Sequence, residues 1–450
     1  GGKGFLAPSD KLVVAGIGAG GKGKSDLKYF YDSGKADIGY LCDVDDRMAK
    51  DSIAAYPKAK YYKDWRKMME VESKNFDAVS VSTPDHNHAV QAMAAMQLGK
   101  HVYVQKPMTH DIYEARMLTA AADKYKVVTQ MGNQGSSGDG VRQLVEWFDA
   151  GIIGDVHTVQ IWTNRPIWPQ GIPWSTAKPP VPAGLDWDLW LGTAPYKDYV
   201  EKLVPFNWRG WWDYGTGALG DMGCHLLDPP FKVLGIRDAI DVECSVGSVF
   251  LQDWTPEYIP QGCPPSSMVT LHYGPSKKNN SPVKLTWFDG GLRAPHPDGI
   301  PATEMIGDAD GSNGVILIGS KGIMTCGTYG MYPKVFKNGV RVDESELPKA
   351  SLARVKGGDN GHNTQWVEAC KAGFGNMEVS SPFDYAAPFT ESVLMGNIAI
   401  RSYMLREGEG RNAKYIGRQK LEWDAANMRI TNFDAANQFV RREYRNGWTL

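Results

Sequence analysis

The chain is poor in the features that mark several common classes. Only six of its 450 residues are cysteine (Cys42, Cys224, Cys244, Cys263, Cys326 and Cys370), and they are scattered, with no CxxC spacing. Neither a disulfide framework nor a zinc site is implied. No apolar run is long enough to cross a bilayer. Neither charge dominates: 49 Lys+Arg against 51 Asp+Glu leave a net −2. That balance gives no electrostatic reason to expect nucleic acid or an anionic membrane as partner. There is no basic block, heptad pattern or internal repeat. His157, His272 and His296 stand isolated, without metal-ligand spacing, which speaks against a metal enzyme. Aromatics, by contrast, are plentiful. Eight of the 15 Trp fall between residues 162 and 212. Packing would use such rings, and so would a cleft that stacks them on the apolar faces of sugars; the density favours the cleft.

A chain of this length exceeds one ordinary core, so two or three domains are expected. Residues 11–130 alternate short apolar runs ("KLVVAGIG", "ADIGYLCDV", "FDAVSVST", "KHVYVQ", "KVVTQM") with helix-like segments at 24–33, 45–55, 63–72, 86–99 and 110–125. This alternation predicts an α/β fold with a doubly wound parallel sheet. From about residue 140 the texture changes. A Pro- and Trp-rich stretch, 166–214, has little periodicity, and residues 240–345 carry alternating patterns that predict a largely antiparallel sheet. The boundary is drawn near 130: a dinucleotide-binding domain over 1–130 and a substrate-binding and oligomerisation domain over 131–450.

After the first strand stands "GIGAGG", with Gly16, Gly18 and Gly21 in GxGxxG spacing around Ala19 and Gly20. Between a strand and a helix this is a pyrophosphate turn at a helix N-terminus. The second strand runs to Asp43, whose carboxylate suits ribose hydroxyls and repels a 2′-phosphate. NAD is therefore expected rather than NADP, although Lys22, Lys24 and Arg47 lie close in sequence.

Ligands of such sheets bind beyond the carboxyl ends of the strands. The third strand is followed by Thr83, Pro84, His86 and His88, the fourth by Gln105, Lys106, Pro107 and His110. Proline keeps the preceding Lys106 out of helix and aims it toward the nicotinamide end. Thr83, Pro84, His88, Gln105 and Lys106 are the candidates for holding the cofactor beyond the glycine turn. His86 and His88 could equally cap a helix, and His110 reads as a helix start.

The segment 217–228, "GALGDMGCHLLD", sets Asp221 and His225 four apart on one helical face among small and apolar residues. Oxidising an alcohol needs a base for the hydroxyl proton, and histidine titrates near working pH. Lys106, Asp221 and His225 are the candidate catalytic set: His225 as base, Asp221 orienting the imidazole or binding substrate, Lys106 stabilising a developing alkoxide. Substrate-side candidates are Asn164 and Arg165 at a strand end, and Trp208, Arg209 and Trp211 just before the catalytic segment; Trp212 reads as packing. His362 either caps a helix or reaches substrate.

These motifs resemble the Gfo/Idh/MocA family of nicotinamide-dependent oxidoreductases, on "AGIGAGG", "STPDHNHAVQAMAAMQLGKHVYVQKPMTH" and "GALGDMGCH". The chain is similar in particular to a bacterial subgroup carrying "TNRPIWPQG", "LDWDLWLG", "FNWRGWWDYGTGALGDMGCHLLD", "SPFDYAAPFTE" and "REYRNGW". The resemblance implies a Rossmann domain, then an α/β domain with an open, mostly antiparallel sheet that makes homo-dimer or homo-tetramer contacts. It implies oxidation or reduction of a secondary alcohol on a sugar, cyclitol or related polyol; the aromatic-rich cleft favours a glycoside, and the leading reading is NAD-dependent oxidation to a 3-keto sugar or glycoside. Some relatives use bound NAD in a redox-assisted glycosidase or lyase reaction without net redox change, for which Tyr214 or His362 could supply a base. The family's lysine, in Glu-Lys-Pro, matches Lys106; its aspartate and histidine match Asp221 and His225. Gln105 departs from the glutamate. Subgroup members commonly carry an export signal before a segment like "GGKGFLAPSDKL", so the resemblance points to the periplasm ahead of the cytoplasm.

Overall fold

A computed structural model describes residues 10–252 and 254–450; the expected export junction at the first nine residues lies outside them. The first sheet contains β1 (Leu12–Ile17), β2 (Ala36–Cys42), β3 (Lys60–Tyr62), β4 (Ala78–Val81), β5 (His101–Val104) and β6 (Thr129–Met131). Its order is β3-β2-β1-β4-β5-β6, and every pairing is parallel. β3 is an addition to the five strands legible in the sequence: "KYY" is a short edge strand, too brief to show a period.

Both faces of this sheet are covered, as the continuous apolar runs of β1 and β4 require. On one face lies α1 (Gly21–Asp32), with Leu27 and Phe30 buried. On the other lie α3 (Trp65–Glu72), α4 (His88–Gln97) and α5 (Ile112–Tyr125), which buries Ala115 and Leu118 behind a capping box of Asp111 and Glu114; α2 (Asp46–Ala55) flanks the β2 end. A helix from much later in the chain, His362–Ala372, joins the α1 face through Trp366, whose ring centroid lies 5.0 Å from that of Phe30. A division at residue 130 therefore separates the two sheets in sequence but leaves this returning helix with the first.

The second sheet follows α6 (Asp139–Asp149). It contains β7 (Val156–Trp162), β8 (Ala239–Val246), β9 (Ser267–Tyr273), β10 (Val283–Phe288), β11 (Gly314–Gly319), β12 (Ile323–Cys326), β13 (Lys334–Lys337), β14 (Val340–Arg341), β17 (Leu421–Asp424) and β18 (Arg429–Ile430), with a separate hairpin β15 (Arg406–Glu407) and β16 (Lys414–Tyr415). The order is β14-β13-β12-β11-β7-β10-β9-β8-β17-β18. All its pairings are antiparallel except β7 with β10. Between β7 and β8 come α7 (Trp187–Leu191), α8 (Gly217–Leu226) and α9 (Asp228–Leu234). The returning helix is α10, and α11 (Phe383–Tyr403) follows it, buried along most of its length. Val393 and Leu394 of α11, Leu118 of α5 and Leu219 of α8 share one apolar core, so the two sheets are joined by a continuous interior.

Candidate active site

A cavity of about 510 Å³ runs from the glycine turn, past the ends of β2, β4 and β5, to α8. Its first half is built by the backbone. Gly18 has φ +86, and a Cβ there would strike the carbonyl oxygen of Ser82, so only glycine lets β1 turn against the end of β4. Gly21 has φ +49 and open space where a Cβ would stand. The N-terminus of α1 has no side-chain cap and no acidic residue in its first turn, leaving its N–H groups directed outward. Asp43 accepts the N–H of Ala19 at 2.9 Å and of Gly20 at 3.2 Å. Burial pushes its carboxyl up to about 6, against the pull of these bonds.

This half fits a dinucleotide: an uncapped helix start and open glycine for the pyrophosphate, and a carboxylate at the end of β2 for a ribose. The nearby cations are already engaged. Arg47 forks onto Asp45 at 2.8 and 2.6 Å, Lys24 reaches Asp51 at 2.6 Å, and Lys22 reaches Asp26 at 2.9 Å. None of the three is left over for a 2′-phosphate.

The second half is built by side chains from both domains. Lys106, at the end of β5, directs Nζ to Oδ1 of Asp221 at 2.7 Å and to the Asp221 carbonyl at 2.8 Å. Arg209 Nε lies 3.4 Å and Arg165 Nε 3.9 Å from the same carboxylate. Burial would raise Asp221, but Lys106 and Arg209 outweigh it and hold the carboxyl at about 2. His225 shares the α8 face and lines the cavity, yet Asp221 does not hold its imidazole. Its Nδ1 is buried without a hydrogen-bond partner among the described residues, and its ring meets Tyr329 edge-on at 4.9 Å. Burial and the adjacent Lys106 keep His225 well below the ordinary histidine range, so the ring is neutral.

The glycines of "GALGDMGCH" divide the work. Gly217, at φ +66, borders the cavity, whereas Gly223 stands where a Cβ would lie 3.3 Å from Val393, letting α8 close on α11. Thr216, ahead of the helix, donates to the buried Asp85 at 2.7 Å and ties α8 to the loop after β4.

Gln105 has a structural reason to differ from glutamate. Its Nε2 donates to Oδ2 of the fully buried Asp26 at 2.7 Å, and Ser82 donates to the same oxygen at 3.0 Å. A second carboxylate there would face Asp26 directly.

Of the expected cofactor residues, Gly18, Gly20, Gly21, Asp43, Thr83, Pro84, Gln105 and Lys106 line the cavity. Gly16 and Ala19 stand behind it: Gly16 packs on Leu27, and Ala19 meets Asp43 only through its N–H. His88 is a correction, because it is fully buried away from the cavity. Its ring nitrogens lie 2.8 Å from the carbonyl oxygens of Thr83 and Pro107, so it braces the two loops that carry cofactor residues. His86 and His110 are likewise buried, against the carbonyls of Trp190 and Gly215.

Of the substrate-side residues, Arg165, Trp208 and Arg209 line the cavity. Three others do not, and each has a structural use. Asn164 accepts a hydrogen bond from the Arg165 guanidinium. Trp211 is buried edge-on against Trp174 at 4.7 Å. His362 is fully buried, with Ser137 Oγ at 2.6 Å from Nδ1 and the Met131 carbonyl at 2.8 Å from Nε2; burial lowers it to about 3. It joins α10 to the end of β6. Tyr214, the other base considered for elimination, is fully buried outside the cavity. Cavity residues the sequence did not single out include Asp85, Gln134, Trp190, Phe206, Tyr329 and Trp448. Tyr329 has φ +63, unusual for a bulky residue, and nothing in "CGTYG" marks it.

Comparison with known proteins matches two segments of the chain. Residues 12–133 match the oxidoreductase family NAD-binding Rossmann fold, and residues 148–252 match the oxidoreductase family C-terminal alpha/beta domain. A relative of 26% identity over 164 residues, 36% of each chain, is the scyllo-inositol 2-dehydrogenase (NADP(+)) IolW of Bacillus subtilis. Another, 24% identical over 161 residues and covering 34% of this chain and 35% of the relative, is a glycosyl hydrolase family 109 protein of Shewanella pealeana. The matches thus span little more than a third of these curated relatives' own length. In fold the chain is similar to the WlbA dehydrogenase of Bordetella pertussis, solved with NADH and UDP-GlcNAcA, at TM-score 0.60 and 15% identity over 87% of this chain and 97% of that one. With an NAD-binding Rossmann domain followed by this C-terminal domain, the chain belongs to the Gfo/Idh/MocA family of oxidoreductases.

Proposed function

We propose that the protein is an NAD-dependent oxidoreductase that removes hydride from a secondary hydroxyl of a sugar or glycoside, giving a 3-keto sugar. The observation that carries the reading is the continuity of one cavity from the glycine turn and Asp43 to Lys106, Asp221 and His225. Bound NAD supplies the hydride acceptor. Lys106, with its side chain 15% exposed and steadied by Asp221, donates a hydrogen bond to the substrate oxygen and offsets negative charge as the proton leaves. His225 is neutral and lines the cavity, and its imidazole receives that proton. Asp221 holds the ammonium of Lys106 in place. Arg165 and Arg209 border the same end, and the rings of Trp190, Phe206 and Trp208 with Ile167 form an apolar wall of the kind that packs on a pyranose face.

A second reading is supported by the glycosyl hydrolase family 109 relative: transient oxidation, elimination of the substituent, addition of water and re-reduction. Tyr329, beside His225 in the cavity, is the hydroxyl that this reading would recruit. One experiment separates the two. The purified protein is mixed with a panel of glycosides and free sugars, and nicotinamide absorbance and released aglycone are followed together. A keto product with stoichiometric NADH and no aglycone supports the dehydrogenase; aglycone without net NADH supports the second reading. The subgroup resemblance further supports an exported homo-oligomer, which cell fractionation and light scattering of the purified protein would test.

A further inference from the structure

We propose that Trp448, carried by a strap over Arg442–Trp448, forms the outer wall of the adenine end of the cofactor cavity and clasps the adenosine half of NAD. The proposal rests on the dinucleotide reading of the cavity and is independent of which alcohol is oxidised.

The strap is fastened at two places. Arg442 donates to Glu114 at 2.8 Å and, from its backbone N–H, to Asp111 at 3.1 Å, both at the start of α5; Tyr444 donates to Glu114 at 2.6 Å. Three residues on, Arg445 donates to the Asp188 carboxylate at 2.6 Å and to the Gly192 carbonyl at 3.1 Å, at the two ends of α7, and its own N–H reaches the Thr193 carbonyl at 3.0 Å. A turn with Gly447 at φ +89 then delivers Trp448. Its partly buried ring stands 6.2 Å from that of Trp65, at 44°, and Arg66 lies 4.5 Å above it.

Trp65 opens α3 directly after β3, and Asp43 ends β2. In a doubly wound sheet the adenosine lies over this pair of strand ends. Trp448 lines the cavity here together with Met48, Asp64 and Trp65. Trp448 thus brings an aromatic ring to the end of the cavity that Met48 also lines, and an aromatic face there can hold an adenine by stacking. The anchoring contacts hold the ring in place before cofactor arrives, so little ordering is left to be done on binding.

The test is direct titration of the full-length cofactor-free protein with NAD, with ADP-ribose and with nicotinamide mononucleotide, which lacks the adenosine. Trp448→Ala should weaken NAD and ADP-ribose about tenfold, the scale of one lost base–aromatic stack, and leave the mononucleotide unchanged. Trp448→Phe should retain most of the affinity. Wild-type affinity for NAD in Trp448→Ala would overturn the proposal, and so would equal weakening of all three ligands, which would mean general damage to the site. Unchanged dinucleotide affinity alongside lost dehydrogenase activity would refute the clasp while leaving the reading of the cavity intact.

Discussion

Lys106 and Asp221 meet across the two domains: the ammonium lies 2.7 Å from the carboxylate and 2.8 Å from the carbonyl of the same residue. The lysine follows a strand of the first sheet, and the aspartate sits on α8, which packs on α11. The pair therefore forms only when the domains are docked, and it leaves His225, one turn further along α8, free of a carboxylate partner.

That geometry makes His225 the dispensable partner for binding and the indispensable one for proton transfer. His225→Ala should lower turnover at least 100-fold and leave NAD affinity unchanged, as measured by steady-state kinetics and by titration. Because burial and Lys106 hold the ring neutral, kcat of the wild type at saturating NAD should show no histidine-like loss between about pH 7 and 6.

NAD affinity should weaken below about pH 6. Asp43 is held up to about 6 by burial, and a protonated carboxyl loses acceptor capacity toward ribose hydroxyls. The same shift has the opposite sign for stability. A raised carboxyl stabilises the cofactor-free protein below the unfolded value near pH 4, and that contribution is lost as pH rises through 6. Titrations at pH 5 and 8, with Asp43→Asn as a pH-insensitive reference, check both.

Gln105→Glu should be costly. It places a carboxylate where Gln105 now donates to Asp26 at 2.7 Å, and Lys22 balances only one of the two charges. The folded pair would hold a proton that the unfolded chain releases. The loss should thus be small near pH 4 and grow to about 2 kcal/mol by pH 8. Urea midpoints at the two pH values read it, and an equal loss at both would contradict the account.

The two positive-φ glycines of the turn should behave differently. Gly18→Ala drives a methyl into the Ser82 carbonyl and strains φ +86, so melting temperature and cofactor binding should fall together. Gly21→Ala meets no atom and costs only about 1 kcal/mol of left-handed strain. Its methyl borders the cavity, so NAD affinity should suffer more than stability. Thermal melts with and without NAD distinguish the two.

The local elements were legible in the sequence because their signals are local. Apolar runs, a glycine turn and Asp43 mark a nucleotide half whose contacts are largely made by backbone within one β-α-β unit. Lys106 before proline and the four-residue spacing of Asp221 and His225 placed those side chains on their elements. Tertiary packing alone decided their partners. Asp221 faces Lys106 across 115 residues of chain and turns from the histidine four positions away. His88 and His362 became buried braces because carbonyls of other loops reach their rings, and Trp211 went to the interior on Trp174. Tyr329 and Trp448 reached the cavity from segments whose own patterns carry no sign of it. Backbone periodicity is written every two or four residues; which surfaces meet depends on the burial of whole faces, and no short stretch of sequence contains that.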